Sequence, residues 1–130
     1  MWEVETIPDG DKLFYRIHKN YIREGIVKPK AFQERGESDS RGMSTDWEKY
    51  SEPQASLAQA KIPEDNGIVS FTAGNLRKIS LDIMHAPLEN NRAHTNVRGV
   101  DDVEKNLKVR SLFKWEILPP VELEKNDYNF

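Results

Sequence analysis

Three histidines, at positions 18, 85 and 94, are the side chains of this 130-residue chain most readily tuned to move protons near neutral pH. His85 and His94 bracket the loop Ala86-Pro87-Leu88-Glu89-Asn90-Asn91-Arg92-Ala93. If they end adjacent strands, that loop brings the two imidazoles together, with His94 as general base or acid and His85 as its complement. Arg16 would then stabilise negative charge developing on a phosphate. Asp82 stands three residues before His85 and on a strand would face the other way, so it is no orienting carboxylate. The competing reading is two ordinary half-buried histidines bonded to loop carbonyls, because no recognised spacing ties them.

A second group runs from Arg16 to Lys30, where Arg16, Lys19, Arg23, Lys28 and Lys30 stand against Glu24 alone. Tyr15 and Tyr21 are interleaved with these cations. Arg and Lys neutralise phosphates and aromatic rings stack on bases, so a nucleotide or single-stranded RNA suits this stretch. The plainer account is a solvated loop that balances Glu3, Glu5, Asp9 and Asp11 near the N-terminus. A third group is Gly42-Met43-Ser44-Thr45-Asp46-Trp47. Ser44 or Thr45 would support a ligand beside Trp47, or Thr45 or Asp46 would merely cap a turn over a buried Trp47.

Other chemistries lack their residues. Neither His18 nor His85 has a hydroxyl two positions on, and Thr95 follows His94 directly, so the paired His-x-Ser/Thr of two-histidine phosphoesterases is missing. Phosphate-loop and Gly-x-Ser-x-Gly patterns are absent, as are His-Glu-x-x-His and calcium-loop spacings. A site of three His plus a carboxylate would need His18 to converge from the far end of the chain, so no metal ligand and no cofactor is assigned. With no cysteine there is no disulfide, thiolate metal site or thiol nucleophile.

The elements that must position these residues read as follows. Trp2 to Thr6 and Lys12 to Ile17 are short strands about the turn Pro8-Asp9-Gly10-Asp11. Alternation in the second puts Arg16 on the face opposite Tyr15 and Ile17. Residues 20–43 form a long charged loop with one short strand at most, a length that marks function or mobility. Ser51 caps a helix with Gln54 completing a capping box, and the helix ends before Pro63. Asp65-Asn66-Gly67 is a turn, Ile68 to Phe71 a buried strand, Thr72 the cap of a helix through Ile79, and Leu81 to Met84 a strand. The strand order stays open. His94 to Val97 is a further strand, closed by Gly99. Asp101 caps a helix from Asp102 to Ser111 with Val103 and Leu107 on its apolar side. Phe113, Trp115 and Ile117 alternate as a last strand, stopped by Pro119-Pro120.

The fold class is therefore α+β: one small domain over residues 1–120, with a mixed sheet and two or three short helices, and a peripheral tail over 121–130. Apolar residues are 37% and charged residues 32%, yet three Trp, four Tyr and five Phe mark a chain that folds. The net charge of −3 is no signature of a DNA-coating protein. No apolar run approaches the about 18 residues of a membrane span, and acids occupy the start where a signal peptide carries cations. The expected setting is the cytoplasm, with no membrane attachment.

Motif order adds a resemblance. Leu13-Phe14-Tyr15-Arg16-Ile17-His18, Lys30-Ala31-Phe32-Gln33 and Gly42-Met43-Ser44-Thr45-Asp46 resemble small bacterial proteins that open with a Leu-Tyr-Arg-Arg-Ile-like strand. Those continue with Ser-x-Ala-Phe-like and Leu/Met-Ser-Val-Asp-like segments. His85-Ala86-Pro87 and Asn91-Arg92-Ala93-His94-Thr95-Asn96-Val97-Arg98-Gly99 are similar to their His-Asp-Pro-like turn and Asn-x-Ala-His-x-x-Val-x-Gly stretch. The likeness spans roughly the middle three-quarters of the chain. Tyr15, Thr45 and Ala86 depart from it, the last removing a carboxylate beside His85. The resemblance implies Arg16, Ser44, His85, Asn91 and His94 as site candidates without a reaction. The layout is also loosely similar to ADP-ribosyl-transferring folds, in which an Arg or His holds NAD and a Ser-Thr element supports the pocket; their Glu has no equivalent here.

Two functions follow as expectations. The first is a small accessory protein that binds a protein partner through its loop face, since no catalytic set is complete and a long charged loop sits on a small scaffold. The alternative is a His-dependent enzyme acting on a nucleotide or RNA phosphodiester. Its candidates are His94, His85 and Arg16 for catalysis, and Ser44, Asn91, Lys19, Arg23 and Lys28 for binding.

Overall fold

The structure, a computed structural model, describes residues 2–37 and 40–124. Eight strands form in chain order: β1 (Lys12–His18), β2 (Ile22–Arg23), β3 (Ile26–Val27), β4 (Met43–Trp47), β5 (Asn66–Thr72), β6 (Asp82–His85), β7 (His94–Arg98) and β8 (Lys114–Ile117). Three short helices, α1 (Pro53–Ala58), α2 (Ala73–Lys78) and α3 (Val103–Arg110), complete an α+β domain. Six strands make one sheet in the order β6-β7-β4-β1-β5-β8, with every neighbouring pair antiparallel. No helix among the described residues is long and apolar enough to cross a membrane.

Strand alternation divides the side chains between two faces. Leu13, Tyr15 and Ile17 point to one side with Met43, Trp47, Val69, Phe71, Val97 and Trp115, all buried. Phe32 inserts over them, its ring 5.9 Å from Tyr15, 6.0 Å from Phe71 and 5.6 Å from Phe113. Such aromatic pairs add about 0.5–1.5 kcal/mol each beyond the area they bury. On the opposite face, where Phe14 and Ile68 are buried, α1 packs on β1, β5 and β8 and reaches Asp46 of β4 through Ser56. The rest of that face, around Arg16, Ser44 and His94, is left accessible to a ligand.

The loop after β1 is more folded than its charge suggests. β2 and β3 pair as a hairpin, Ile22 with Val27 and Arg23 with Ile26, around Glu24 and Gly25. Both turn residues have positive φ, 53° and 82°, the combination a two-residue type I′ turn requires. A Cβ on Gly25 would stand 2.7 Å from the backbone nitrogen of Glu124, which donates to the Gly25 carbonyl at 2.9 Å. Leu123 and Glu124 thus lie against the hairpin, and Leu123 packs on the core. The remainder of the expected tail, 125–130, falls outside the described residues.

Several local expectations are corrected. Residues 2–6 form no strand; Glu5 and Ile7 turn inward while Trp2 and Val4 stay exposed. Glu52, not Ser51, occupies the cap of α1 and no capping box forms, because the Ser51 hydroxyl turns to Ser56 instead. Asn66 and Gly67 already belong to β5, and the turn before them is a 3-10 segment over Pro63–Asp65. Asp102 rather than Asp101 caps α3, accepting from the Lys105 amide at 2.8 Å. Val103 and Leu107 face solvent, at 71% and 52% exposure, and the buried residue is Val109. Thr72 caps α2 as its position predicts.

Candidate functional site

The register decides which candidate residues share a face. Asp46 pairs with His94, Ser44 with Asn96 and Phe14 with Asp46, so Ser44, Asp46, His94 and Arg16 all project from the face that α1 covers in part. His85 pairs with Thr95 and belongs to the core side. The two histidines do end adjacent strands, yet their imidazoles project from opposite faces of the sheet.

β1 and β4 hold only two pairs, Leu13 with Trp47 and Phe14 with Asp46, before they part. A cleft of about 510 Å³ opens there. Arg16 and His18 line it from β1, Ser44 and Asp46 from β4, Ser56 from α1, Gln59 to Ile62 from the turns after it, and Tyr21, Gln33 and Arg35 from the folded loop. The volume lies in the range of about 300–1,000 Å³ typical of small-molecule sites.

Charge in the cleft runs against that of the chain. Arg16, Arg35 and Lys61 face one carboxylate, Asp46, among the described lining residues, whereas the chain carries −3. The Arg16 guanidinium is exposed and makes no hydrogen bond or ion pair with the described residues. Arg35 donates to the Tyr21 hydroxyl at 2.6 Å with its guanidinium 5.6 Å from the ring centre. Beneath them the buried Tyr15 hydroxyl donates to the Ala31 carbonyl at 2.5 Å. Burial pushes that phenol up to about 12, so it stays protonated.

At the rim, Ser44 Oγ lies 3.2 Å from His94 Nδ1. Burial lowers the His94 pKa from its ordinary value, opposed by the negative charge of Asp46. A neutral His94 with its proton on Nε2 accepts from the Ser44 hydroxyl. Asp46 is fixed on both oxygens, accepting from Ser56 Oγ at 2.7 Å and from Asn91 Nδ2 at 2.8 Å. Asn91 is held in turn by the Ala93 amide, which donates to its Oδ1 at 3.2 Å.

Comparison of the chain with protein-family models, with curated proteins and with solved structures finds no match. The site rests on its own geometry.

The remaining candidates lie elsewhere. His85 accepts from the Glu5 amide at Nδ1, 3.0 Å, and contacts the Arg92 carbonyl through Nε2, 2.7 Å. It packs edge-on against Trp47 and stacks on Tyr50. Both nitrogens are engaged with backbone, so His85 pins the N-terminal segment. Lys19 pairs with Asp65 at 3.1 Å, and Arg23 and Lys28 stand exposed on the hairpin away from the cleft lining. Among the described residues no group of three or more His, Cys, Asp or Glu is gathered to hold a metal ion.

Sequence reasoning missed Arg35, Lys61 and Asp46 as lining residues. Asp46 was within reach, because Met43, Thr45 and Trp47 alternate with Ser44 and Asp46 as a half-buried strand does. Arg35 and Lys61 sit in loops whose course no periodicity gives.

Proposed function

We propose that the cleft beside Arg16 binds a phosphorylated nucleotide. The carrying observation is the Arg16 guanidinium, exposed at the cleft with no described partner and accompanied there by Arg35 and Lys61. A guanidinium presents planar, paired donors that suit phosphate oxygens, and a cationic cleft in an acidic protein attracts anions locally. Tyr21 adds aromatic surface for a base. His94, kept neutral by burial and joined to Ser44, is the group in place to take a proton from a hydroxyl in that cleft. Four residues shared with the small bacterial proteins, Arg16, Ser44, Asn91 and His94, fall in or beside this site, which favours kinship with them. The cytoplasm, where free nucleotides are concentrated, is the proposed setting.

Calorimetric titration of ADP at low and then higher salt tests the reading. Saturable binding that weakens with salt supports it. No heat, and no ligand-induced rise in melting temperature at millimolar-order ADP, removes it.

The accessory-protein reading is favoured by one observation, the exposure of Val103 and Leu107 one turn apart on α3. α3 borders the folded loop through Arg110, whose Nε donates to the Val27 carbonyl at 2.7 Å. Affinity capture from the native host with wild type and with the Val103→Asp/Leu107→Asp variant tests it. Equal recovery of the same protein by both would sink the idea that this face does the binding.

A further inference from the structure

We propose that Asp46 reads the sugar of the bound nucleotide, so that the cleft prefers ribonucleotides to nucleotides without ribose hydroxyls. The inference rests on the nucleotide reading above and adds its selectivity. Asp46 is 9% exposed and lines the cleft. It enters no ion pair among the described residues. A buried carboxylate without a cation is costly unless hydrogen bonds satisfy it. A carboxylate offers about four lone-pair sites. Ser56 and Asn91 each occupy one, on different oxygens.

A carboxylate that lines a cleft can accept from hydroxyl donors of a ligand, and its charge repels a second phosphate. The position narrows which donors. Asp46 sits across from Phe14, and Arg16 is two residues further along β1 on the same face. Asp46 and Arg16 both line the cleft that opens where β1 and β4 part. A phosphate held at Arg16 brings the next part of a nucleotide, its ribose with its hydroxyl donors, into the same cleft as Asp46. Asn91, also directed at Gln59 Oε1 at 3.3 Å, holds the carboxylate from one flank and Ser56 from the other. A readout group needs this kind of support to discriminate.

Titration of the wild-type protein with ADP, 2′-deoxy-ADP and 2′,3′-dideoxy-ADP tests the assignment without any substitution. The dideoxy compound is expected to bind about tenfold weaker or more than ADP, the usual effect of losing hydrogen bonds to a charged group. Asp46→Asn, checked for an unchanged melting transition, should bring ADP close to the dideoxy affinity. Equal affinities for ADP and dideoxy-ADP in the wild type overturn the role of Asp46 and leave nucleotide binding intact. Undiminished discrimination in a folded Asp46→Asn protein also overturns it. Binding of none of the three removes the nucleotide reading itself, and this inference with it.

Discussion

Arg16→Gln separates binding from folding more cleanly than any other substitution at the cleft. The Arg16 side chain has no hydrogen-bond or ion-pair partner among the described residues, and it shares the cleft with Arg35 and Lys61. Its removal deletes no hydrogen bond or ion pair among the described residues. Surface changes of this kind stay within about 0.5 kcal/mol. For a domain of this size that is about 2 °C in melting temperature. A phosphate held by the guanidinium loses a charge-assisted hydrogen bond of about 1.5–3 kcal/mol, which is about 10- to 150-fold in Kd. Calorimetric titration of ADP into both proteins, with thermal melts of each, reads the two numbers side by side. An affinity within about twofold of wild type would refute the phosphate role. A drop in melting temperature well beyond about 5 °C would show that Arg16 is a structural residue after all.

Three further outcomes follow from the packing and electrostatics. His94 has a folded pKa below its ordinary 6.5, so the unfolded chain takes up the proton first as pH falls. The stability this group contributes is complete above about pH 6.5 and is lost below it. Urea melts across that window should show a decline that His94→Gln makes shallower. A Cβ on Gly67 would meet Ile117 O at 2.8 Å, Pro119 N at 2.9 Å and the Trp115 ring at 2.9 Å. Two of the three are rigid backbone atoms, so Gly67→Ala should cost about 1–3 kcal/mol in urea denaturation. Val109→Ala empties a fully buried site and should cost about 2 kcal/mol, while Leu107→Ala on the exposed face should change stability by less than about 0.5 kcal/mol.

The α+β class and most strand positions were legible because alternation and turn chemistry are local. Leu13, Tyr15 and Ile17 against Arg16 is a pattern that a half-buried strand forces, and the structure keeps it. The same logic misled at α3. Val103 and Leu107 carry the helical spacing, but α3 is held by polar arms and one buried valine. Lys105 Nζ reaches the Ile79 carbonyl at 2.5 Å, and Asn106 donates to the Phe32 carbonyl. Periodicity counts apolar residues and cannot see such arms. Residues 2–6 have β-forming side chains yet no ladder partner, since pairing depends on chain segments distant in sequence. Part of the lining of the cleft is readable for the same reason. Arg16, Ser44 and His94 stand out by residue type and Asn91 by the resemblance, and the register brings them to or beside one face. His85 follows from that register too: pairing with Thr95 sends it to the core, a fact fixed by strand neighbours rather than by its own surroundings in sequence.

The N-terminal segment is fastened almost wholly by side chains. Ile7 is buried, and the Glu5 carboxylate receives Lys49 at 2.5 Å and the Tyr50 hydroxyl. Those hydrogen bonds, led by the one from Lys49, hold the Glu5 carboxyl below its usual range. Arg92 is sandwiched between the Trp2 and Tyr50 rings, 4.6 Å and 4.0 Å from their centres. Among the described contacts of residues 2–7, one amide, that of Glu5, finds an acceptor, in His85. Two kinds of experiment will therefore disagree about where order begins. Amide exchange will report most of this stretch as open, whereas Trp2 fluorescence and ring-proton shifts will report it as fixed.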